Sequence, residues 1–220
     1  EFEVHYEQGN FKEDGIVIQG IPRKTRRKVM TFGNHRNHTY TYSGIKHVPD
    51  LWSDNLIKIR DKVQSVCKNN INHATVNWYN SGEEGMGFHS DSEKELERKA
   101  TIAIISLFSD REIEFIRKGD KQKVVLKRIN LERGSILLME KDTQELLEHS
   151  VVKKEDVKEP RVSIVFRTII PEVSEGEKKK REVLGEDESK ERKAWEEVKI
   201  LKDNLNKLQD KHEEALKLIE

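Results

Sequence analysis

From Ala74 onward the apolar residues come in short runs separated by turn signals. The runs are Ala74 to Tyr79, Thr101 to Phe108, Glu112 to Ile116, Lys123 to Asn130, Ser135 to Met139 and Val162 to Ile170. Runs of this length, broken by Lys118-Gly119-Asp120 and Arg133-Gly134, predict strands. Residues 1 to 20 read the same way, with Phe2, Val4, Tyr6 and Ile16-Val17-Ile18 parted by Gly9-Asn10 and Asp14-Gly15. Between these regions the period changes. Leu51, Asn55, Ile59, Val63 and Val66 recur at helical spacing, and Leu56 and Ile57 widen the face. This predicts one helix, opened by Pro49-Asp50 with Asp50 as cap, running through Cys67 and ended by Asn69-Asn70. One helix followed by many strands predicts an α+β, mainly β domain of sandwich or barrel type, an architecture that often holds a site in its open mouth.

The chain's 220 residues are 34% apolar and 37% charged, so part of the chain is expected to lie outside any core. That part is the end. Residues 172–193 have almost no apolar content and predict a charged linker. In 194–220, Val198, Leu201, Leu205, Leu208, His212, Ala215 and Ile219 follow an a/d heptad pattern. A short coiled coil giving self-association or a partner helix is one reading; a solvated single helix held by i,i+4 ion pairs is the other. The domain proper is expected over 1–171. Cys67 is the only cysteine, which excludes a disulfide framework and a cysteine-based zinc site. No run reaches membrane-spanning length, so no membrane association is expected and an intracellular location, cytoplasmic or nuclear, is. The start at Glu1 rather than Met fits a piece of a longer polypeptide.

Net charge is zero, but its distribution is uneven. Residues 21–49 contain Arg23, Lys24, Arg26, Arg27, Lys28, Arg36 and Lys46 and no acid, with Phe32, Tyr40 and Tyr42 interleaved. Cations grip phosphates and flat rings stack on exposed bases, so the stretch suits a nucleic acid. A solvated basic loop whose aromatics are hairpin core is the competing reading.

The chemistry concentrates after a loop with three glycines. His89 and Asp91 are two apart, and in an extended segment both point to one face. Either alone is unremarkable as a metal ligand. With His149 as the best third candidate, two imidazoles and one carboxylate would leave three positions of an octahedral ion open, the facial triad of non-haem Fe(II) oxygenases. Arg161 and Arg167, six apart, would share a face of one strand, and two fixed guanidinium forks suit the two ends of a dicarboxylate.

Taken in order, Asn77-x-Tyr79, His89-x-Asp91, His149 and Arg161-x-Ser163-x-x-Phe166-Arg167 resemble the AlkB family of Fe(II)- and 2-oxoglutarate-dependent dioxygenases. Pro22-Arg23-Lys24, Phe32-Gly33 and Thr39-Tyr40-Thr41-Tyr42-Ser43-Gly44 resemble the nucleotide-recognition segment of its DNA- and RNA-repair members. The resemblance covers about residues 15 to 171. It implies a double-stranded β-helix (jelly roll) with Fe(II) in its mouth, held by His89, Asp91 and His149, and with 2-oxoglutarate and O2 as co-substrates. Arg161, with Tyr79 and Ser163, would hold the distal carboxylate of 2-oxoglutarate; Arg167 and Asn77 would hold the end that chelates iron. Ser163 stands where some members have Asn, and it keeps a hydrogen-bonding group there.

The implied reaction is oxidative demethylation of 1-methyladenine- or 3-methylcytosine-type bases in DNA or RNA, with release of formaldehyde. The base would be unpaired or flipped out. It would stack on Tyr42, with His89 opposite and Tyr40 nearby, and its exocyclic amino group would meet Glu93. Two other functions stay open: a dioxygenase of the same fold acting on protein or a small molecule, and a non-catalytic nucleic-acid-binding module.

Overall fold

The computed structural model describes residues 11–18, 21–42 and 44–171. The strands expected in residues 1–10, the linker 172–193 and the heptad segment 194–220 lie outside the described residues, as do the side chains of Arg23 and Lys24.

In chain order the elements are β1 (Lys12–Ile18), β2 (Ile21–Gly33), β3 (Tyr40–Tyr42), β4 (Ile45–His47), β5 (Asp50–Leu51), α1 (Asp54–Cys67), β6 (His73–Tyr79) and β7 (Met86–His89). They continue with β8 (Ile102–Phe108), β9 (Arg111–Arg117), β10 (Lys127–Leu131), β11 (Ile136–Met139), α2 (Lys141–Leu146), β12 (Leu147–Val151) and β13 (Arg161–Arg167). The larger sheet has the order β1-β2-β6-β13-β8-β11, with β5 paired to β2; the smaller is β10-β9-β12-β7. This is the expected mainly-β double-sheet jelly roll.

The alternation of side chains across a strand divides β13 cleanly. Val162, Ile164 and Phe166 join Ala74 and Val76 of β6, Ala103 of β8, and Leu56 and Val63 of α1 in one core cluster. The helix therefore covers the outer face of the larger sheet. Fully burying a side chain such as Leu56 stabilises the fold by about 1.5–3 kcal/mol. Val165 of β13 goes the other way, into a second cluster with Ile102 and Ile104 of β8, Ile113 and Phe115 of β9, Leu131 of β10 and Met139 of β11. That cluster lies between the two sheets. The inward face of β13 continues with Arg161, Ser163 and Arg167, which carry the polar chemistry into the space between the sheets.

Three expectations need correction. The helix starts at Asp54, with Ser53 as cap accepting from the Leu56 N–H, not at Asp50. Asp50 and Leu51 instead pair in parallel with Phe32 and Gly33 of β2, and Leu51 is 61% exposed. Val66 also lies outside the buried face. The strand expected from Lys123 begins only at Lys127. The Asp120 carboxylate accepts from the backbone N–H groups of Gln122 and Val124, both at 2.9 Å, which closes a turn and leaves Val124, Val125 and Leu126 exposed. Phe32 is no base-stacking residue: it is buried and stacks on Trp52, 6.5 Å between centroids. No helix among the described residues is long and apolar enough to cross a membrane.

Candidate active site

Strand pairing brings the three expected ligands together. β12 runs antiparallel to β7 with His149 directly opposite His89, and Asp91 follows just past the end of β7. One ligand atom from each of His89, Asp91 and His149 lies within 4.8 Å of the others. The two imidazole rings are 4.3 Å apart between centroids, and His89 Nε2 is 3.5 Å from Asp91 Oδ1.

Each ligand is held in a state fit to bind a cation. His89 Nδ1 lies 2.9 Å from the Gly87 carbonyl oxygen. A carbonyl can only accept, so Nδ1 carries a proton, and Nε2 is the nitrogen turned toward Asp91. His149 is buried, and its Nδ1 has no hydrogen-bond partner among the described residues. Burial, reinforced by the neighbouring His89, brings its pKa down to about 4, so the ring is neutral at pH 7. Asp91 is buried as well. Burial works against its charge, but Arg167 and then the two histidines outweigh it and bring its pKa to about 2. Two imidazoles and one carboxylate, with an unpartnered buried nitrogen among them, fit Fe(II).

Arg167 is the nearest support of this group. Its Nη2 and Nε donate to the same oxygen of Asp91, Oδ2, at 2.7 and 3.2 Å, and its Nη1 donates to Thr75 Oγ1 at 3.1 Å. It stands 5.0 Å from the centre of the Tyr40 ring. Arg161 lies at the opposite end of the same strand and is 1% exposed. Its Nη2 donates to Ser106 Oγ at 3.0 Å, and its guanidinium lies 5.5 Å from the centre of the Tyr79 ring. Its Nε and Nη1 have no partner among the described residues. Leaving such donors unmet costs about 1–3 kcal/mol each, so an anion in front of them is favoured. Asn77 and Tyr79 of β6 sit in register with Ser163 and Arg161, and Asn77 Nδ2 donates to Ser163 Oγ at 3.3 Å.

These groups line one cavity of about 450 Å³, together with Arg27, Tyr40, Tyr42, Glu93 and the Gly85–Ser90 strip. Tyr40 is buried rather than presented to a base, and its hydroxyl donates to Glu93 Oε2 at 2.8 Å. Tyr42 is half-buried, with one face stacked on His47 at 4.3 Å and 5°. Within the acid-free stretch, Arg27 is buried in the cavity wall, and Arg36 meets Asp50 at 3.4 Å.

Sequence reasoning missed several contributors. Ser106 interrupts the apolar run Ile102–Phe108, and a lone hydroxyl in a buried strand was a usable signal. Arg111 is fully buried and donates to the carbonyls of Ser81, Gly82, Glu84 and Val152 at 3.2, 3.4, 2.5 and 2.7 Å, mooring the glycine loop that precedes β7. Gly82 is required there, because a β-carbon would lie 1.7 Å from the Lys154 carbonyl oxygen.

A sequence profile of the 2OG-Fe(II) oxygenase superfamily matches residues 3–167. The DNA oxidative demethylases ALKBH2 of Bos taurus and Mus musculus are 32% and 33% identical over 176 residues, which is 78% of this chain and 62% and 72% of theirs. The alpha-ketoglutarate-dependent dioxygenase alkB homolog 3 of Homo sapiens is 32% identical over 172 residues, 71% of this chain and 60% of its own. The match to the first of these relatives thus spans less than two thirds of that relative's length. With His89, Asp91 and His149 gathered at the cavity, this chain belongs to the 2OG-Fe(II) oxygenase superfamily and, within it, to the AlkB dioxygenases, whose chemistry uses Fe(II), 2-oxoglutarate and O2.

Proposed function

We propose that this protein removes methyl groups from N-methylated bases, of the 1-methyladenine and 3-methylcytosine type, in DNA or RNA inside the cell. The observation that carries this reading is the convergence of the His89–Asp91–His149 group and of Arg161, whose Nε and Nη1 have no partner among the described residues, on one cavity that Tyr42 and Glu93 also line. The nucleic-acid demethylases and dioxygenases among its relatives support it.

His89, Asp91 and His149 would hold Fe(II). Bound iron with 2-oxoglutarate and O2 supplies an oxidising power able to hydroxylate an unactivated methyl group, 2-oxoglutarate becoming succinate and carbon dioxide. The chain's own residues do the rest. Arg161, through Nε and Nη1, would hold the distal carboxylate of 2-oxoglutarate, beside Tyr79 and Ser163. Arg167 occupies Asp91 Oδ2 and leaves Oδ1 on the side of His89, and Arg167 and Asn77 would hold the chelating end of 2-oxoglutarate. Tyr42, braced by His47, provides a stacking surface for the extruded base, with the His89 edge of the cavity opposite. Glu93, steadied by Tyr40, accepts from the exocyclic amino group and favours a cationic methylated ring. The charges of Arg23 and Lys24 suit them to the phosphates of the substrate. The N-hydroxymethyl product then loses formaldehyde and leaves N–H on the base. The catalytic domain comprises 1–171; 172–193 and 194–220 form a charged extension, and the latter mediates self-association or binds a partner helix.

The test is formaldehyde release on 1-methyladenine and 3-methylcytosine in single-stranded RNA, single-stranded DNA and duplex DNA, with a methylated peptide as a parallel arm. Release from an oligonucleotide at a rate lost in Asp91→Ala is expected. Turnover of 2-oxoglutarate stimulated by the peptide and by no oligonucleotide would overturn the substrate class.

A further inference from the structure

Asp91 is gripped from two directions. Arg167 holds the carboxylate. The main chain of Asp91 is held by α2: its N–H donates to Gln144 Oε1 at 2.8 Å. Gln144 is itself fixed. Its Nε2 donates to Met139 Sδ at 3.5 Å, which settles the orientation of the side-chain amide, and its main-chain carbonyl oxygen accepts from Lys118 Nζ at 3.0 Å. One residue earlier, Ser90 Oγ donates to the Leu147 carbonyl at 2.9 Å. The segment after β7 is therefore tied twice to the corner where α2 runs into β12, and β12 carries His149 two residues beyond Leu147.

We infer that Gln144 is a positioning residue for the metal centre. Its side chain sets the distance between the Asp91 main chain and the strand bearing His149. Nothing else among the described residues accepts a hydrogen bond from the Asp91 N–H. Past the end of β7 that N–H has no ladder partner, so without Gln144 the tie at Asp91 itself is lost and only the Ser90 bond one residue away still joins the segment to this corner, while Arg167 holds the carboxylate. The ligand oxygen would then shift relative to the two imidazoles. Groups that orient ligands in this way typically change metal affinity by 10–100-fold when removed.

The inference rests on Asp91 being a metal ligand, and the experiment separates the two. Mn(II), a probe that does not turn over, is titrated into metal-free protein and the free ion is read by electron paramagnetic resonance. Asp91→Ala tests the ligand assignment, Gln144→Met removes the acceptor at similar volume, and Gln144→Glu restores an acceptor oxygen. The expected result is a Kd for Mn(II) raised about tenfold in Gln144→Met and within about threefold of the parent in Gln144→Glu, with metal-free melting temperatures close to the parent's. An unchanged Kd in folded Gln144→Met, while Asp91→Ala loses binding, would overturn the role of Gln144 alone. Unchanged binding in Asp91→Ala would overturn the ligand assignment beneath it. Should Gln144→Met not fold, Gln144→Asn, whose amide is one methylene too short to reach, carries the same expectation, and an unchanged Kd there would overturn the role equally.

Discussion

Arg167 places two donors on one oxygen of Asp91, at 2.7 and 3.2 Å, and leaves the other oxygen 3.5 Å from His89 Nε2. The pair is buried. Removing one partner of such a pair typically costs 3–5 kcal/mol, because the remaining charge is left without compensation. Arg167→Leu is accordingly expected to lower unfolding free energy by about that amount. It should also let the Asp91 carboxyl rise from about 2, weakening metal binding at neutral pH. Urea denaturation and a Mn(II) titration check both halves; a variant that binds Mn(II) as tightly as the parent would show that the pair is structural only.

Arg161 is the second fixed cation, and its free donors face the cavity. A hydrogen bond to a charged group is worth about 1.5–3 kcal/mol, so Arg161→Gln should raise the KM for 2-oxoglutarate about 10- to 100-fold. The iron affinity should hardly move, since Arg161 touches no ligand. Succinate formation measured across 2-oxoglutarate concentrations reads this. A KM within a factor of two would place the distal carboxylate elsewhere.

Tyr40 is buried, and its hydroxyl steadies Glu93. Burial, then Asp91, pushes the Glu93 carboxyl up, and the Tyr40 hydrogen bond works the other way. Tyr40→Phe deletes that bond and nothing else of size. The expected effect is a KM for methylated oligonucleotide raised about fivefold, corresponding to roughly 1 kcal/mol, with the KM for 2-oxoglutarate unchanged. Equal changes in both would mean that the hydroxyl supports the cavity at large.

His73 contributes to the pH dependence of stability, alongside the buried His149. It is completely buried, with neither ring nitrogen partnered among the described residues. Burial first, then Arg167, His38 and His47, hold its pKa well below the usual 6.5. The unfolded chain therefore takes up a proton near pH 6.5 that the folded chain refuses. Stability is full above that pH and falls as pH drops below it, with a slope of up to about 1.4 kcal/mol per pH unit for this one group. His73→Leu should flatten the loss between pH 6.5 and 5 in metal-free protein. Denaturation curves at three pH values suffice, and an unaltered slope would assign it to other histidines.

Much of the site was legible from the chain alone, and the reason is local geometry. A strand repeats every two residues, so Arg161, Ser163 and Arg167 had to share a face, and so did Asn77 and Tyr79. The helix over most of 54–67 and six of the strands follow from the same kind of periodicity. Where that reading failed, a distant partner had intervened. Asp50 and Leu51 look like a helix start until Phe32 and Gly33 offer them a strand to pair with, and Phe32 looks like a stacking residue until Trp52 covers it. No periodicity could show that Gln144 reaches Asp91, that Tyr40 reaches Glu93, or that Arg111 gathers four carbonyls. Those contacts join segments tens of residues apart, and they exist only because two sheets close face to face and bring chain ends of different strands to one rim. Backbone stereochemistry dictates which side chains point together along a strand; packing between sheets decides which strands those side chains then meet.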